Sequence, residues 1–445
     1  MNGGQSTLLL DPDQLNADCA CISLDRQALI GALDTAVGEP GFGERLNASH
    51  PSLLSNLPVY LRPENAKDMA ALIRTIEDVA SLAPYQKAAL DDAPAIARYL
   101  PRAKGVLMGY DFHIGKDGPQ LIEINTNAGG ALINAMLLKA QKVCCAAVSP
   151  LLAGSTSAIE PEVAIFNSFM SEWTLAGGTN RLKTIAIVDT DPEGQFLYPE
   201  FVLFKRLFRE HGLEAIITPP EQLIRSNGKL RHHSHEIDLV YNRLTDFGFE
   251  QPASQALREA YLAGEVVVTP NPHAHAIFAD KRNLVRLTDE GLLKSWGVPD
   301  ASIERLKRGI PKTVFVTWET ATDLWAHRAN LFFKPAAGFA SKAAYRGDKI
   351  TKRVWETIIA GGYVAQELVA PSTRTVVVDG ERQALKADIR NYTYGGEVQL
   401  IAARLYQGQT TNMRTPGGGF APVLSNMGIT VPACSDTATG SCTCD

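Results

Sequence analysis

Hydrophobic and polar residues alternate through Gly109-Tyr110-Asp111-Phe112-His113-Ile114 and Gln120-Leu121-Ile122-Glu123-Ile124-Asn125, on either side of Gly115-Lys116-Asp117-Gly118-Pro119. The pattern predicts a β-hairpin, because Gly, Asp and Pro supply the backbone angles a short connection needs. Side chains alternate faces along a strand, so Ile122 and Ile124 are expected in the core, with Glu123 and Asn125 together on the other side. Pairing symmetric about Asp117 sets Asp111 across from Glu123. Upstream, apolar residues at helical spacing predict helices over 66–82 and 93–100. Downstream, Thr126-Asn127-Ala128-Gly129-Gly130 leads into a predicted helix over 133–145.

From about 155 to 275 strand patterns (183–188, 215–217, 237–241, 265–269) alternate with helical ones (199–211, near 221–225, 253–263), which predicts a small doubly wound parallel sheet. Such sheets bind ligands beyond the carboxyl ends of their strands. Asp191, Glu193, Arg243 and Asp246 are therefore candidate substrate contacts, each of which also reads as a loop charge. His232, His233 and His235 sit in a polar turn and read as solvated. A helix is expected from Ala276 to about Leu293. After it, the apolar strand Leu331-Phe332-Phe333 delivers Lys334 to a small-residue loop containing Gly338 and Ser341, placed to reach a phosphate that loop amides cover. Gly-Lys-Ser/Thr is missing, so this is not a Walker A loop. The strand through Gln366 and Glu367 ends in a linker at Val369, whose backbone suits an adenine edge. A last hairpin turns at Gly395-Gly396 and carries Arg404 among apolar neighbours. A buried arginine needs an anion, either a structural carboxylate or a phosphate. Gly417-Gly418-Gly419 is expected as a loop over the site.

With 445 residues, 45% hydrophobic and 20% charged, the chain is large enough for two or three domains. A net charge of −5 gives no footprint for nucleic acid or an anionic membrane. No secretory signal or membrane-length apolar run is evident, and seven unevenly placed cysteines do not form a disulfide framework, so a reducing cytoplasm is expected. Facing carboxylates such as Asp111 and Glu123 repel unless a cation lies between them. Asp, Glu and an Asn carbonyl are hard ligands of the kind Mg²⁺ takes; solvated acids on an exposed hairpin are the alternative. Asn127 is a candidate contact for substrate, phosphate or metal, or a helix cap. Residues 426–445 read as a flexible tail, and Cys442 with Cys444 makes a weak case for a soft metal.

The order of these features resembles the circularly permuted ATP-grasp proteins, in particular the synthetase part of glutathionylspermidine synthase and its trypanothione synthetase relatives. The resemblance lies in Asp111-Phe112, Glu123-Ile124-Asn125, Asp280-Lys281, Lys334-Pro335-Ala336-Ala337-Gly338 and Arg404, over roughly 100–420. It implies an α/β, circularly permuted ATP-grasp fold with an inserted doubly wound pre-ATP-grasp domain. The expected divisions are 1–155, 156–275, 276–370, 371–425 and the tail. It implies Mg²⁺ on Asp111, Glu123 and Asn125, ATP on Lys281 and Lys334, and Arg404 at the transferred phosphoryl group. The family has an arginine where this chain has Gly109, so Arg346, Arg374 or Arg390 substitutes or the chemistry differs. The implied activity is an ADP-forming carboxylate–amine ligase working through an acyl phosphate on small-molecule or peptide substrates, in a homodimer. The alternatives are a phosphotransferase on the same fold and an inactive nucleotide-binding regulator.

Overall fold

A computed structural model describes residues 11–19, 24–141, 160–337 and 343–425. The hairpin is present, as strands Met108–Gly115 and Gly118–Asn125, and it forms one edge of a seven-stranded sheet. Next come Glu381–Tyr394, Glu397–Tyr406, Gly419–Leu424 and finally Val59–Tyr60, with Ser372–Val378 paired to Glu381–Tyr394. All these pairs are antiparallel except the last, Val59–Tyr60 with Gly419–Leu424. One face packs on the amphipathic helix Pro63–Ala80 through Tyr110, Phe112 and Ile389, against Met69, Ile73 and Ile76. The other face buries Tyr392, Ala402 and Phe420 against the helix Ala131–Lys139. Further along that second face stand Asp111, Asp388, Arg390 and Arg404, since residues two apart share a side.

Thr184–Val188, Glu214–Thr218, Leu239–Asn242 and Val267–Thr269 form the expected doubly wound sheet, all pairs parallel. The helix expected near 221–225 is instead a 3₁₀ turn, Pro220–Gln222, followed by strand Leu223–Ser226 of a small antiparallel sheet. Asn227-Gly228, with φ of 53° and 72°, forms the tight turn of that hairpin, and two left-handed residues in succession favour Asn-Gly. His232 and His235 face each other across the next turn, as a polar loop requires. A third sheet orders Thr313–Phe315, Tyr363–Glu367, Leu331–Pro335 and Tyr345–Arg346 over a separate core around Phe333 and Trp355. The helix expected over 276–293 is broken into a wide helical turn, His275–Ala279, that ends at extended Asp280, then Arg282–Thr288 and Glu290–Ser295; the last break comes where the Asp289 side chain accepts from the Leu292 amide and starts a new helix. Among the described residues no helix is long and apolar enough to cross a membrane.

Candidate active site

The site begins with a β-bulge. From the turn, Phe112 pairs with Leu121, but the register shifts by one so that Asp111 pairs with Glu123. Bulges re-aim side chains. Here the extra residue is Ile122, which lines the cavity between the large and the third sheet instead of entering the core as expected, while Ile124 is buried. The Ile122 carbonyl accepts a hydrogen bond from Lys334 Nζ at 2.7 Å.

Neighbouring strands extend a row of charge from there. Arg390 pairs with Asp111 and Asp388 with Arg404. Arg390 donates to the Asp111 carboxylate from Nε and Nη2, at 2.6 and 2.7 Å, and Arg404 Nη2 donates to Asp111 Oδ2 at 2.7 Å. Burial alone would raise the Asp111 pKa; the two guanidinia more than reverse that and lower it. Asn125 Nδ2 bridges Asp111 Oδ2 at 3.1 Å and Glu123 Oε1 at 3.2 Å. Of the expected metal ligands, Asp111 and its neighbours do converge, but Asp111 is enclosed by arginines, whereas the Glu123 side chain is 30% exposed and faces Lys281 Nζ at 4.0 Å.

Gly109 explains the position of Arg390. A Cβ there would lie 2.6 Å from Ala128 Cβ and 3.2 Å from Arg390 Nε. The missing side chain leaves the space that the Arg390 guanidinium fills. Arg374 is buried elsewhere, donating to the carbonyls of Pro58 and Asn16, and Arg346 pairs with Asp348.

Lys334 is buried and holds Gln366 Oε1 at 2.7 Å, and Gln366 Nε2 is buried without a hydrogen-bond partner among the described residues. Such a donor is open to an acceptor from water or from a ligand. Burial, reinforced by Lys281, brings the Lys334 pKa down to about 8. Lys281 is fixed in place as its backbone N–H bonds the Ala336 carbonyl at 3.0 Å, just past the end of the Lys334 strand. In the linker, the Glu367 and Leu368 amides already donate to the Lys312 and Asn330 carbonyls, and the Val369 carbonyl is bonded by His113 Nδ1 at 2.8 Å. Glu367, Leu368 and Val369 line the cavity. Gly338 and Ser341 lie outside the described residues.

Beside this cavity runs the loop 127–130. Arg243 is buried beyond the Leu239–Asn242 strand, against the Phe201 and Tyr241 rings, and its Nη2 lies 3.0 Å from where a Gly129 Cβ would stand. Its Nε and the Asn127 Oδ1 are buried without hydrogen-bond partners among the described residues. Asp189, whose pKa burial pushes up to about 6 against the pull of Arg243, belongs to the same cluster. Glu200 accepts from the Gly130 and Leu132 amides at 2.7 and 3.1 Å and so fixes the loop. Asp246 accepts from Glu250, Gln251 and Ser254 and closes its own turn, and Asp191 and Glu193 lie exposed on the turn after Thr184–Val188.

No protein-family model matches the sequence, and no curated protein does. Among solved structures, a glutathione synthetase-like effector from Globodera pallida, in apo form, aligns over 91% of this chain and 99% of its own, at TM-score 0.53 and 12% identity. That likeness shows a shared α/β fold. A putative γ-glutamylcysteine synthetase from Methylobacillus flagellatus aligns over 78% of this chain and 85% of its own, at TM-score 0.44 and 12% identity. The ATP-grasp ligase PsnB, complexed with a phosphomimetic minimal precursor, Mg and ADP, aligns over 52% and 79%, at TM-score 0.28 and 16% identity.

Sequence reasoning missed Asp388, His113, Asp189 and Glu200. Asp388 was visible as an acid in the strand across the Gly395-Gly396 turn from Arg404. Counted from that turn, however, Arg404 falls opposite Ala387. A register shift between Tyr392 and Thr393 brings Asp388 opposite it.

Proposed function

We propose that the chain is an ATP-dependent carboxylate–amine ligase. The observation that carries the reading is one cavity lined by Lys281, Lys334, Arg404 and Glu123 and closed by the 366–369 linker. A polyphosphate fits the cations, and a purine fits the apolar walls and the unpartnered Gln366 amide. The half-open Glu123 carboxylate fits a divalent cation carried in with the phosphates, with the Asn125 amide oxygen beside it after a flip of that amide. Mg²⁺ bound there would neutralise phosphate charge.

The chain's own groups then have distinct work. Lys281 and Lys334 hold the phosphates, and Arg404 meets the γ-phosphoryl group as its charge shifts. The acid substrate's carboxylate attacks that phosphorus, giving an acyl phosphate and ADP. The amine then attacks the acyl carbon, phosphate leaves with the C–O bond electrons, and the proton lost from the nitrogen goes to the departing phosphate. Arg390 lies between the nucleotide cavity and the 127–130 loop, so the acid is read as entering along that loop, where Arg243 and Asn127 have unmet hydrogen-bonding capacity. The chain order, with the hairpin before the third sheet, accords with the permuted arrangement.

The test is incubation of the purified protein with Mg·ATP, fractionated metabolites and hydroxylamine, reading ADP and hydroxamate together. Acid-dependent ADP with a hydroxamate supports the ligase and identifies the acid by mass. ADP with a stable phosphorylated product and no hydroxamate makes the protein a phosphotransferase.

Lys334 gives a pH prediction. Its amine is charged below about pH 8 and neutral above it, and phosphate favours the charged form. AMPPNP affinity should therefore fall as pH rises through 8, by up to about tenfold at pH 9. Calorimetric titration checks this, and Lys334→Arg should flatten the profile.

A further inference from the structure

The two arginines are held by two carboxylates in an interlocked set. Arg390 forks onto Asp111, and Arg404 forks onto Asp388 through Nε and Nη2 at 2.7 and 3.0 Å. Arg404 Nη2 also reaches Asp111, which joins the pairs. Each fork uses the Nε–Nη2 edge and leaves Nη1 outside it. Thr411, on a loop lining the cavity, donates to Asp388 as well.

A carboxylate oxygen has two lone pairs. Asp111 Oδ2 already meets donors from Arg390 and Arg404, which takes up both lone pairs whichever way the Asn125 amide is turned, and the side chain is 3% exposed. Bringing a dehydrating cation to Asp111 would mean breaking buried charge-assisted bonds, which is expensive. Glu123 carries no such restraint.

We infer that Asp111 and Asp388 are positioning residues that hold Arg390 and Arg404 as a paired guanidinium site for the transferring phosphoryl group, and that the metal rests on Glu123 and not on Asp111. The inference rests on the nucleotide reading above and departs from the metal set that the family resemblance implies.

The test uses the full chain and two direct binding measurements. In the first, Mn²⁺ is titrated in the presence of AMPPNP and followed by electron paramagnetic resonance. Asp111→Asn should keep Mn²⁺ affinity within about threefold, whereas Glu123→Gln should weaken it by about tenfold or more. Asparagine at 111 leaves buried arginines short of a counter-charge, so the double variant Asp111→Leu/Arg390→Met, which removes both charges together, serves as a second test: its AMPPNP affinity should fall with the lost guanidinium, while at saturating AMPPNP its Mn²⁺ affinity should stay within about threefold. A loss in the Asp111 variants equal to that of Glu123→Gln overturns the metal assignment. In the second measurement, the ratio of ADP to AMPPNP dissociation constants reports contacts to the terminal phosphoryl group. Asp388→Asn should cut the preference for AMPPNP about tenfold with ADP affinity unchanged. A merely structural role would weaken both nucleotides together, and that outcome, or an unchanged preference, overturns the positioning role. Failure of the unaltered protein to bind Mn²⁺·AMPPNP overturns the nucleotide reading itself, and this inference with it; normal binding with the wrong pattern among variants overturns this inference alone.

Discussion

Arg404→Lys is expected to lower ADP formation on the acid substrate by about 10²–10³ while the protein stays folded. The charge survives the change, but the geometry does not. Arg404 spans two carboxylates, Asp388 through a fork and Asp111 through Nη2, and a lysine ammonium is a point charge on a flexible stem that cannot reproduce that fork. The Asp111 pair with Arg390 remains, so the sheet keeps most of its buried charge balance. Steady-state kinetics with the melting temperature measured in parallel checks both halves. Turnover within about threefold of the unaltered protein would remove Arg404 from the phosphoryl group.

Gly130→Ala is expected to destabilise the fold by about 2–4 kcal/mol, which thermal or denaturant unfolding would detect. Gly130 has φ of +98°, a conformation L side chains rarely adopt, and a Cβ there would lie 2.2 Å from the Phe420 ring. Phe420 belongs to the central sheet and is itself buried, so it has nowhere to move. The effect should reach the site, because the same residue's N–H is bonded by Glu200 and the loop it ends carries Asn127. Weaker acid binding with AMPPNP affinity unchanged would mark the 127–130 loop as belonging to the acid and not to the nucleotide.

These two positions differ in how much of their role the sequence reveals. Arg404 stood out because a charge amid Leu400-Ile401-Ala402-Ala403 and Leu405 demands a partner. Gly130 drew attention only as one of several small residues before a helix. That Phe420, far along the chain, lies against it is a fact of packing.

The hairpin makes the same point. Symmetric pairing about Asp117 correctly places Asp111 against Glu123, yet the actual turn is tighter, with Gly115 opposite Gly118, and a bulge restores the pairing further along. The alternation therefore identified the facing pair of acids, while the fate of Ile122, and with it the carbonyl that Lys334 uses, depended on the bulge. Period-two patterning records which face a residue takes, and a one-residue slip is invisible to it until strands are paired.

What the sequence by itself determined is the set of local elements and the chemistry they present: the hairpin acids, the parallel doubly wound sheet, the strand-end lysine and the strand arginine. Each follows from short-range periodicity or from the cost of burying charge. The tertiary structure alone decided which anion each cation meets. Arg390 reached Asp111 because Gly109 left room and the strands Met108–Gly115 and Glu381–Tyr394 are neighbours. Asp388 was set against Arg404 by a register shift, and Arg243 was brought beside Gly129 by the docking of the parallel sheet on the core. Charge partners are chosen over a few ångströms in space, between residues that chain order leaves far apart, and that distance is fixed only when the sheets pair and pack.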